Sequence, residues 1–267
     1  MRGRETHAQH SGRNLPVALQ GLDEAHPAEC ALTAQELSEM VRFFGGLPDW
    51  RGHQGWYRVS SLVALCVCAA LCGEHRGQRD LAAFAASLSP AQWQALGFVR
   101  RGKRGARRWC VPKETTFFRL LRNMESRALE KALLAWQDHV LGPRAPDDNQ
   151  VAVDGKELLG SQGQEIVSAY AVKSGRWLGS EPVAEGSNEI PAAQELLRRA
   201  PIEGALVTLD AMHTQVETAQ LVLYDQGADY VLTVKGNQST LQTTLQDLFN
   251  KQVFPPTGPV AQTGGPT

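Results

Sequence analysis

The chain has 267 residues, of which 42% are hydrophobic and 21% charged, and its formal net charge is −1. This length suits one large domain or two ordinary ones, and the apolar content excludes wholesale disorder. Residues 1–150 hold 20 Lys and Arg against 15 Asp and Glu, whereas residues 151–267 hold 7 against 13. A basic first half and an acidic second half fit a nucleic-acid contact joined to a cation site, although unevenly solvated surface charge gives the same pattern.

The cysteines and the apolar runs predict a cytoplasmic protein. Five cysteines, at positions 30, 66, 68, 72 and 110, form no paired framework, and three of them lie in one apolar run. That usage predicts reduced thiols. Residues 1–13 are polar, and the longest apolar run, 62–72, is shorter than the about 20 residues needed to span a bilayer. We therefore expect neither a secretory signal nor a membrane partner.

The first half of the chain has helical periodicity. Residues 1–32 show no sustained pattern and are expected to form a poorly ordered lead-in. Thr33 and Glu36 predict a capping box opening a helix to position 44, and residues 60–72 predict a helix buried on nearly every side. Shorter helices are expected at 80–88 and 90–96, and one long helical pattern covers 112–141. Residues 33–145 therefore predict an all-helical domain.

After a linker rich in Pro, Gly and Asp at 142–149, the periodicity changes. Strand patterns occupy 150–154, 167–172, 177–183, 205–209 and 230–234, and helical patterns occupy 188–199, 214–224 and 239–249. Thr214 with Glu217 predicts a second capping box. A meander followed by alternating helices and strands predicts an α/β fold with a ribonuclease H-like mixed sheet over 150–250. A Pro/Gly-rich tail at 254–267 cannot form a helix.

Two aspartates follow short runs of β-forming residues. Asp154 and Asp210 are 56 positions apart, but they become neighbours if the first and fourth strands pair. Carboxylate oxygens are the ligands that Mg²⁺ takes, and two such groups suit metal-dependent phosphoryl transfer on nucleic acid. For the pair taken alone, Asp as an ordinary strand-ending residue is an equally weighted alternative. No phosphate-binding loop, dinucleotide fingerprint or Gly-x-Ser-x-Gly elbow is present to favour other chemistry.

Five ordered segments give these aspartates a family context: Val153-Asp-Gly-Lys156, Val167-Ser-Ala-Tyr170, Glu185-Gly-Ser-Asn-Glu-Ile190, Leu209-Asp-Ala-Met-His-Thr-Gln215 and Asp229-Tyr-Val-Leu-Thr-Val-Lys-Gly-Asn-Gln238. Together they resemble the DDE transposases of bacterial insertion sequences, in the group that includes the H-repeat-associated proteins. The match is dense over 150–245 and weaker at 60–72 and 111–117. The resemblance implies DNA transposition by strand cleavage and transfer. It also implies that Asp154 and Asp210 are the first two metal-binding catalytic aspartates and that Mg²⁺ or Mn²⁺ is the cofactor.

The end of the chain departs from that family. Its members continue with a later helix that carries the third carboxylate, whereas residues 262–267 here read Gln-Thr-Gly-Gly-Pro-Thr. We therefore expect an incomplete sheet and a truncated, catalytically impaired copy. The alternative is a DNA-binding remnant without chemistry that inhibits a full-length copy. Glu217 and Asp247, the nearest acidic residues downstream of Asp210, are better explained as a helix cap and a solvated position.

Two further segments are candidate DNA contacts. Residues 100–108 hold six cations, which can neutralise phosphates, and Trp109 beside them can stack on a base or anchor the loop. A solvated basic loop without a ligand is the alternative. In the turn at 235–238, Lys235 and Asn237 are predicted to meet phosphates, with a helix-capping turn as an equally weighted alternative. The six cations are Arg100, Arg101, Lys103, Arg104, Arg107 and Arg108.

The expected partners follow from the resemblance. Transposon ends and target DNA are the expected nucleic-acid partners, and a second copy of the chain is the candidate protein partner. The expected location is the bacterial cytoplasm, at the nucleoid. His213, three residues after Asp210, either meets substrate phosphate or water, or bonds the backbone.

Overall fold

The structure is a computed structural model that describes residues 32–51, 55–73, 77–103, 107–158 and 163–251. The expected tail and all but the last residue of the expected lead-in lie outside these ranges. The chain divides into two compact units, residues 1–143 and 144–267, and each has its own hydrophobic core. Within the described ranges, no helix is long and apolar enough to cross a membrane.

Helices make up the regular structure described in the first unit. α1 begins after Thr33, whose hydroxyl accepts from the Glu36 amide while the Glu36 carboxylate accepts from the Thr33 amide. The predicted capping box is thus confirmed. α2 is buried on most sides, as its continuous apolar pattern predicts. The helices are α1 (Ala34–Phe43), α2 (Val59–Leu71), α3 (Gln78–Ser87), α4 (Pro90–Ala95), α5 (Glu114–Asn123) and α6 (Ser126–Leu141).

The prediction of one helical stretch over 112–141 is wrong, because α5 and α6 are separate helices. Met124 has an extended backbone with ψ of 128°, and the Glu125 side chain accepts hydrogen bonds from the amides of Arg127 and Ala128. A carboxylate in that position satisfies amides that the first helical turn leaves unpaired. Both helices pack on the same core, so the apolar periodicity runs across the break and conceals it.

The second unit is built on a five-stranded mixed sheet, which confirms the α/β class. The strand order is β3-β2-β1-β4-β5; the pairs β1–β2 and β2–β3 are antiparallel, and β4 runs parallel to both β1 and β5. The strands are β1 (Gln150–Glu157), β2 (Glu165–Ala171), β3 (Trp177–Pro182), β4 (Leu206–Leu209) and β5 (Asp229–Leu232). The helices are α7 (Glu189–Arg199), α8 (Val216–Gln220), which continues as a π-helical turn (Leu221–Asp225), and α9 (Ser239–Lys251).

One face of this sheet forms the core of the second unit. Val151 and Val153 of β1 and Leu209 of β4 are buried in the same cluster as Leu196 and Leu197 of α7. Side chains alternate along a strand, so the residues between these positions belong to the opposite face. That alternation sends the side chains at 154 and 210 away from the core.

Two local predictions in the second unit are wrong. β1 does not end at Asp154 but continues to Glu157, because residues 154–157 stay paired with β2. The predicted capping box at Thr214 is absent: the Thr214 hydroxyl donates to the Thr233 carbonyl at 2.7 Å, and α8 begins after Gln215. The Thr214 hydroxyl therefore bonds to a residue 19 positions away instead of forming the helix cap that the local pattern predicts.

Candidate functional site

Asp154 and Asp210 are brought together by the parallel pairing of β1 and β4. The last partners in that ladder are Val153 and Leu209, so the next residues are Asp154, within β1, and Asp210, directly after β4. In-register residues of neighbouring strands point to the same face, and adjacent strands lie about 4.8 Å apart. Both aspartates are exposed. The predicted pairing of the first and fourth strands is confirmed, and it sets two carboxylates side by side.

Asp210 is held in its ionised form. The Lys235 ammonium lies 3.2 Å from Asp210 Oδ1. The backbone amide of Ala211, and then Lys235, hold the pKa of the Asp210 carboxyl below its ordinary value. A carboxylate that keeps its charge as the pH falls remains able to attract a cation.

The turn that carries Lys235 is tied to the segment that follows Asp210. The Asn237 amide nitrogen donates to the Ala211 carbonyl at 2.9 Å, and the Gln238 amide nitrogen donates to the Thr214 carbonyl at 2.8 Å. These bonds fix the turn beside the two aspartates. Contact of Lys235 and Asn237 with phosphate stays a prediction, and Asn237 already uses an amide hydrogen on the protein backbone.

Behind the aspartates lies a carboxylate–imidazole pair that the sequence reasoning did not identify. A Cβ added at Gly155 would lie 2.1 Å from the Glu189 carboxyl carbon, so the Glu189 side chain covers this glycine closely. Glu189 Oε2 lies 3.7 Å from His213 Nε2. His213 is only 1% exposed, and its Nδ1 has no hydrogen-bond partner among the described residues. Gly155 in mid-strand was the available signal, since such a glycine often marks a close approach.

The environment of His213 favours the neutral imidazole. Burial lowers the pKa of His213 below its ordinary value, and the negative charges of Glu189, Asp210 and Asp154 oppose that shift only in part. The three carboxylates thus all favour protonation of one imidazole, with Glu189 as the largest of the opposing effects. Among the described residues, the His213 ring is buried beside Glu189 and its Nδ1 has no hydrogen-bond partner, so no bond from Nδ1 to the backbone is present, and contact with substrate phosphate stays a prediction.

The two adjacent aspartates form a donor set that suits a divalent cation. Asp154 and Asp210 offer adjacent, exposed carboxylate oxygens, which are ligands that Mg²⁺ and Mn²⁺ accept. Across the described ranges, no group of three or more His, Cys, Asp or Glu residues is arranged to hold a metal ion. Glu217 and Asp247 are exposed, on α8 and α9 respectively. The described site therefore offers two carboxylates and leaves other coordination positions to water or substrate.

The basic loop at 100–108 belongs to the first unit, and its ends are fixed. Arg101 and Arg108 pair through two backbone hydrogen bonds of 2.9 Å. Trp109 stacks on Trp93 at 6.3 Å between ring centroids and packs against the core, so it anchors the loop. Arg100, Arg101, Lys103, Arg107 and Arg108 are exposed, while Arg104 lies outside the described residues.

Comparisons with known proteins identify the family of this chain. A family model described as "DDE_Tnp_1-associated" matches residues 41–137. "Putative transposase YncI" of Escherichia coli K12 is 30% identical over 228 residues, which cover 82% of this chain and 86% of that protein. The chain belongs to the family of bacterial insertion-sequence transposases.

Other relatives in this family differ in length. "H repeat-associated putative transposase YbfD" of E. coli K12 is 27% identical over 225 residues, covering 80% of this chain and 83% of that protein. YncI of E. coli O157:H7 is 30% identical over 228 residues, and the chain spans only 55% of its length. Among solved structures, a chain of the piggyBac transposase synaptic complex with hairpin DNA matches with a TM-score of 0.36 and 13% sequence identity. The match covers 82% of this chain and 52% of the piggyBac chain. That likeness is too low to establish a shared fold.

Proposed function

We propose that this member of the family binds DNA through its first unit and cuts and joins DNA strands, with a divalent metal, through a ribonuclease H-like second unit. The single observation that carries the proposal is the β1–β4 register, which sets Asp154 beside Asp210 on one exposed face. The sheet order supports the ribonuclease H-like assignment, because an antiparallel meander is followed by two parallel strands with helical connections.

In this proposal Asp154 and Asp210 hold Mg²⁺ or Mn²⁺. When bound, the metal would activate an attacking hydroxyl and stabilise the leaving oxygen of a phosphodiester. Asp210 contributes a carboxylate kept ionised by the Ala211 amide and by Lys235. Glu189 and His213 act behind the site as positioning residues, because they fill the space over Gly155 and brace the segment after Asp210.

DNA is the proposed partner, as transposon ends and as target. The exposed cations of the 100–108 loop can neutralise phosphates, and Lys235 stands beside the carboxylates where a phosphate would approach. Such binding would place the protein at the bacterial nucleoid. A second copy of the chain is the candidate protein partner.

A second candidate function is DNA binding without chemistry, with inhibition of a full-length transposase as its effect. The observation that favours it is the donor set: within the described ranges, metal-ligating residues do not gather in threes or more. Two carboxylates can attract a cation, but they provide fewer fixed contacts for two ions than a complete transposase site would.

Metal binding is the first test, because it is independent of strand transfer. Calorimetric titration of the full chain with Mn²⁺ should detect a site, and Asp154→Asn or Asp210→Asn should weaken it by about tenfold or more, since each removes one charged ligand. Asp247→Asn, at an exposed acidic position on α9, is the matched control and should leave the affinity unchanged. Equal Mn²⁺ affinity in all four proteins would contradict the metal assignment.

Strand cleavage then separates the two functions. The substrate is labelled DNA carrying the ends of the element that encodes the chain, incubated with Mg²⁺ or Mn²⁺. Cleavage that disappears in Asp154→Asn supports the transposase activity. Binding of the same DNA without cleavage by the wild-type chain supports the second function instead.

A further inference from the structure

An exposed tryptophan lies beside the basic loop of the first unit. Trp56 is 61% exposed, and the neighbouring Trp50 is 37% exposed. Tryptophan is highly buried on average and is enriched at interfaces, so two exposed indoles close together make a candidate contact surface. The core of this unit is already filled by other aromatic residues, including Phe44, Trp93 and Phe117.

Arginines hold both indoles in place. The Arg101 guanidinium lies 5.5 Å from the Trp56 ring centroid and donates to the Trp56 carbonyl at 2.7 Å. Arg51 lies 5.3 Å from the Trp50 ring centroid and is fixed by the Asp49 carboxylate. Trp56 and Arg101 together form a cation–aromatic surface, called here the Trp56 platform.

Two cavities open against Trp56, and their linings are cationic. One of about 220 Å³ is lined by Trp50, Trp56, Tyr57 and Arg119, among others, and one of about 440 Å³ is lined by Trp56, Arg108 and Lys113, among others. Among the described residues, neither lining includes an acidic side chain. A ligand that fits here has a flat aromatic face and carries negative charge.

We propose that the Trp56 platform binds an unpaired nucleobase of a single-stranded DNA segment, with the base stacked on the indole and the adjoining phosphates beside Arg101, Arg108, Lys113 and Arg119. Bases within a duplex have both faces covered by their neighbours, whereas unpaired bases expose a face to aromatic side chains. The inference rests on the proposed DNA binding of the first unit and adds a preference for single strands, which the basic loop alone does not provide.

The test compares one oligonucleotide as a single strand and as a blunt duplex. Fluorescence anisotropy with the full chain measures both affinities over a series of salt concentrations. Trp56→Ala should weaken single-strand binding by about tenfold, the typical loss for one stacked base. Duplex affinity and the salt dependence should not change, because the variant keeps every cation that can neutralise a phosphate. Trp56→Phe, which keeps an aromatic face, should retain most of the single-strand affinity.

Phe118 provides a matched control. It is 49% exposed, has Arg122 at 6.0 Å from its ring centroid, and lines neither cavity. Phe118→Ala should leave both affinities unchanged, and circular dichroism with thermal unfolding establishes that each variant is folded.

The outcomes separate this inference from the proposed function. Unchanged single-strand affinity in Trp56→Ala, or an equal loss for single strand and duplex, overturns the inference while DNA binding stands. Failure of the wild-type chain to bind either form at low salt overturns the proposed DNA binding, and the inference falls with it.

Discussion

Gly155 shows how the site depends on one missing side chain. Its position next to Asp154 leaves room for the Glu189 carboxylate, which reaches toward His213. Gly155→Ala should leave the second unit folded, because the group in the way is the end of a flexible side chain and Ala is at least as favourable as Gly in a strand. The added methyl group should instead displace Glu189 from His213.

The measurement for Gly155→Ala is the pKa of His213, followed by NMR. The Glu189 charge raises that pKa against the effect of burial, so displacing Glu189 should lower it further. Glu189→Gln is the matched variant, because it removes the same charge without altering Gly155, and it should shift the pKa in the same direction. An unchanged value in both variants would show that Glu189 does not act on His213.

The buried imidazole also predicts how stability depends on pH. The folded-state pKa of His213 lies below its ordinary value of about 6.5, so the unfolded chain binds the proton more readily. The contribution of neutral His213 to the free energy of unfolding is complete above about pH 6.5. It is lost as the pH falls through the folded-state pKa. The lowered pKa of Asp210 makes stability fall on acidification in the same way, but only below the ordinary pKa of an aspartate, about 3.9.

Thermal unfolding between about pH 8 and about pH 5 checks this dependence. The transition of the second unit should move to lower temperature as the solution is acidified. His213→Gln cannot titrate, so its curve should be flatter over the same range, even if the variant is less stable throughout. A wild-type profile that parallels the His213→Gln profile would show that His213 is not the group responsible.

At the scale of the elements, local and long-range contacts differ in how well they can be predicted. The α1 cap was predictable because Thr33 and Glu36 are three residues apart and need no other partner. The break between α5 and α6 was not, because Glu125 caps a helix whose apolar positions continue those of α5. The local pattern wrongly predicts a cap at Thr214, because the partner of its hydroxyl, the Thr233 carbonyl, is 19 positions away in the chain.

The candidate site divides in the same way. The proximity of Asp154 and Asp210 was predictable from strand order, since it required only that β1 pair with β4. Glu189 and His213 are 24 positions apart, on a helix and a short turn, and no local sequence pattern predicts that they are in contact. Only the packing of α7 against the sheet brings them together.

The cap at Glu125 can be tested by substitution. Glu125→Ala removes the acceptor for the Arg127 and Ala128 amides and should lower the free energy of unfolding of the first unit by about 1 kcal/mol. Glu114→Ala is the matched control: Glu114 lies in the first turn of α5, outside the cap position, and forms an exposed ion pair with Arg79. Its effect should stay within about 0.5 kcal/mol. Urea unfolding measures both, and equal losses would exclude a capping role.

For the whole molecule, the uneven charge bears on the proposed DNA binding. Residues 1–150 carry a net positive charge and residues 151–267 a net negative one. The acidic unit repels phosphates at long range, which suits a site that must first attract a cation. In the proposed DNA binding, the basic unit would supply the attraction for DNA, and its densest cluster is the 100–108 loop.

Changing the six cations of that loop to Gln should weaken duplex binding and flatten its salt dependence. For each phosphate that the loop no longer neutralises, the slope of log affinity against log salt should fall by about 0.9. The measurement is anisotropy over a salt series. Lys173→Gln, which removes a cation ion-paired with Asp147 in the acidic unit, is the control and should change neither quantity. If the loop variant keeps its affinity, DNA binds elsewhere on the chain.

The ladder between β1 and β4 also bears on how distant relatives could be found. Because the two aspartates meet through strand register, the number of residues between them is not fixed by the site. Insertions in the connection between β3 and α7 would lengthen the chain between the two aspartates and leave the β1–β4 ladder intact. A search for remote homologues should therefore look for two runs of apolar strand residues, each followed directly by aspartate and separated by a gap of any length. A template with constant spacing would miss proteins that keep the geometry but not the spacing.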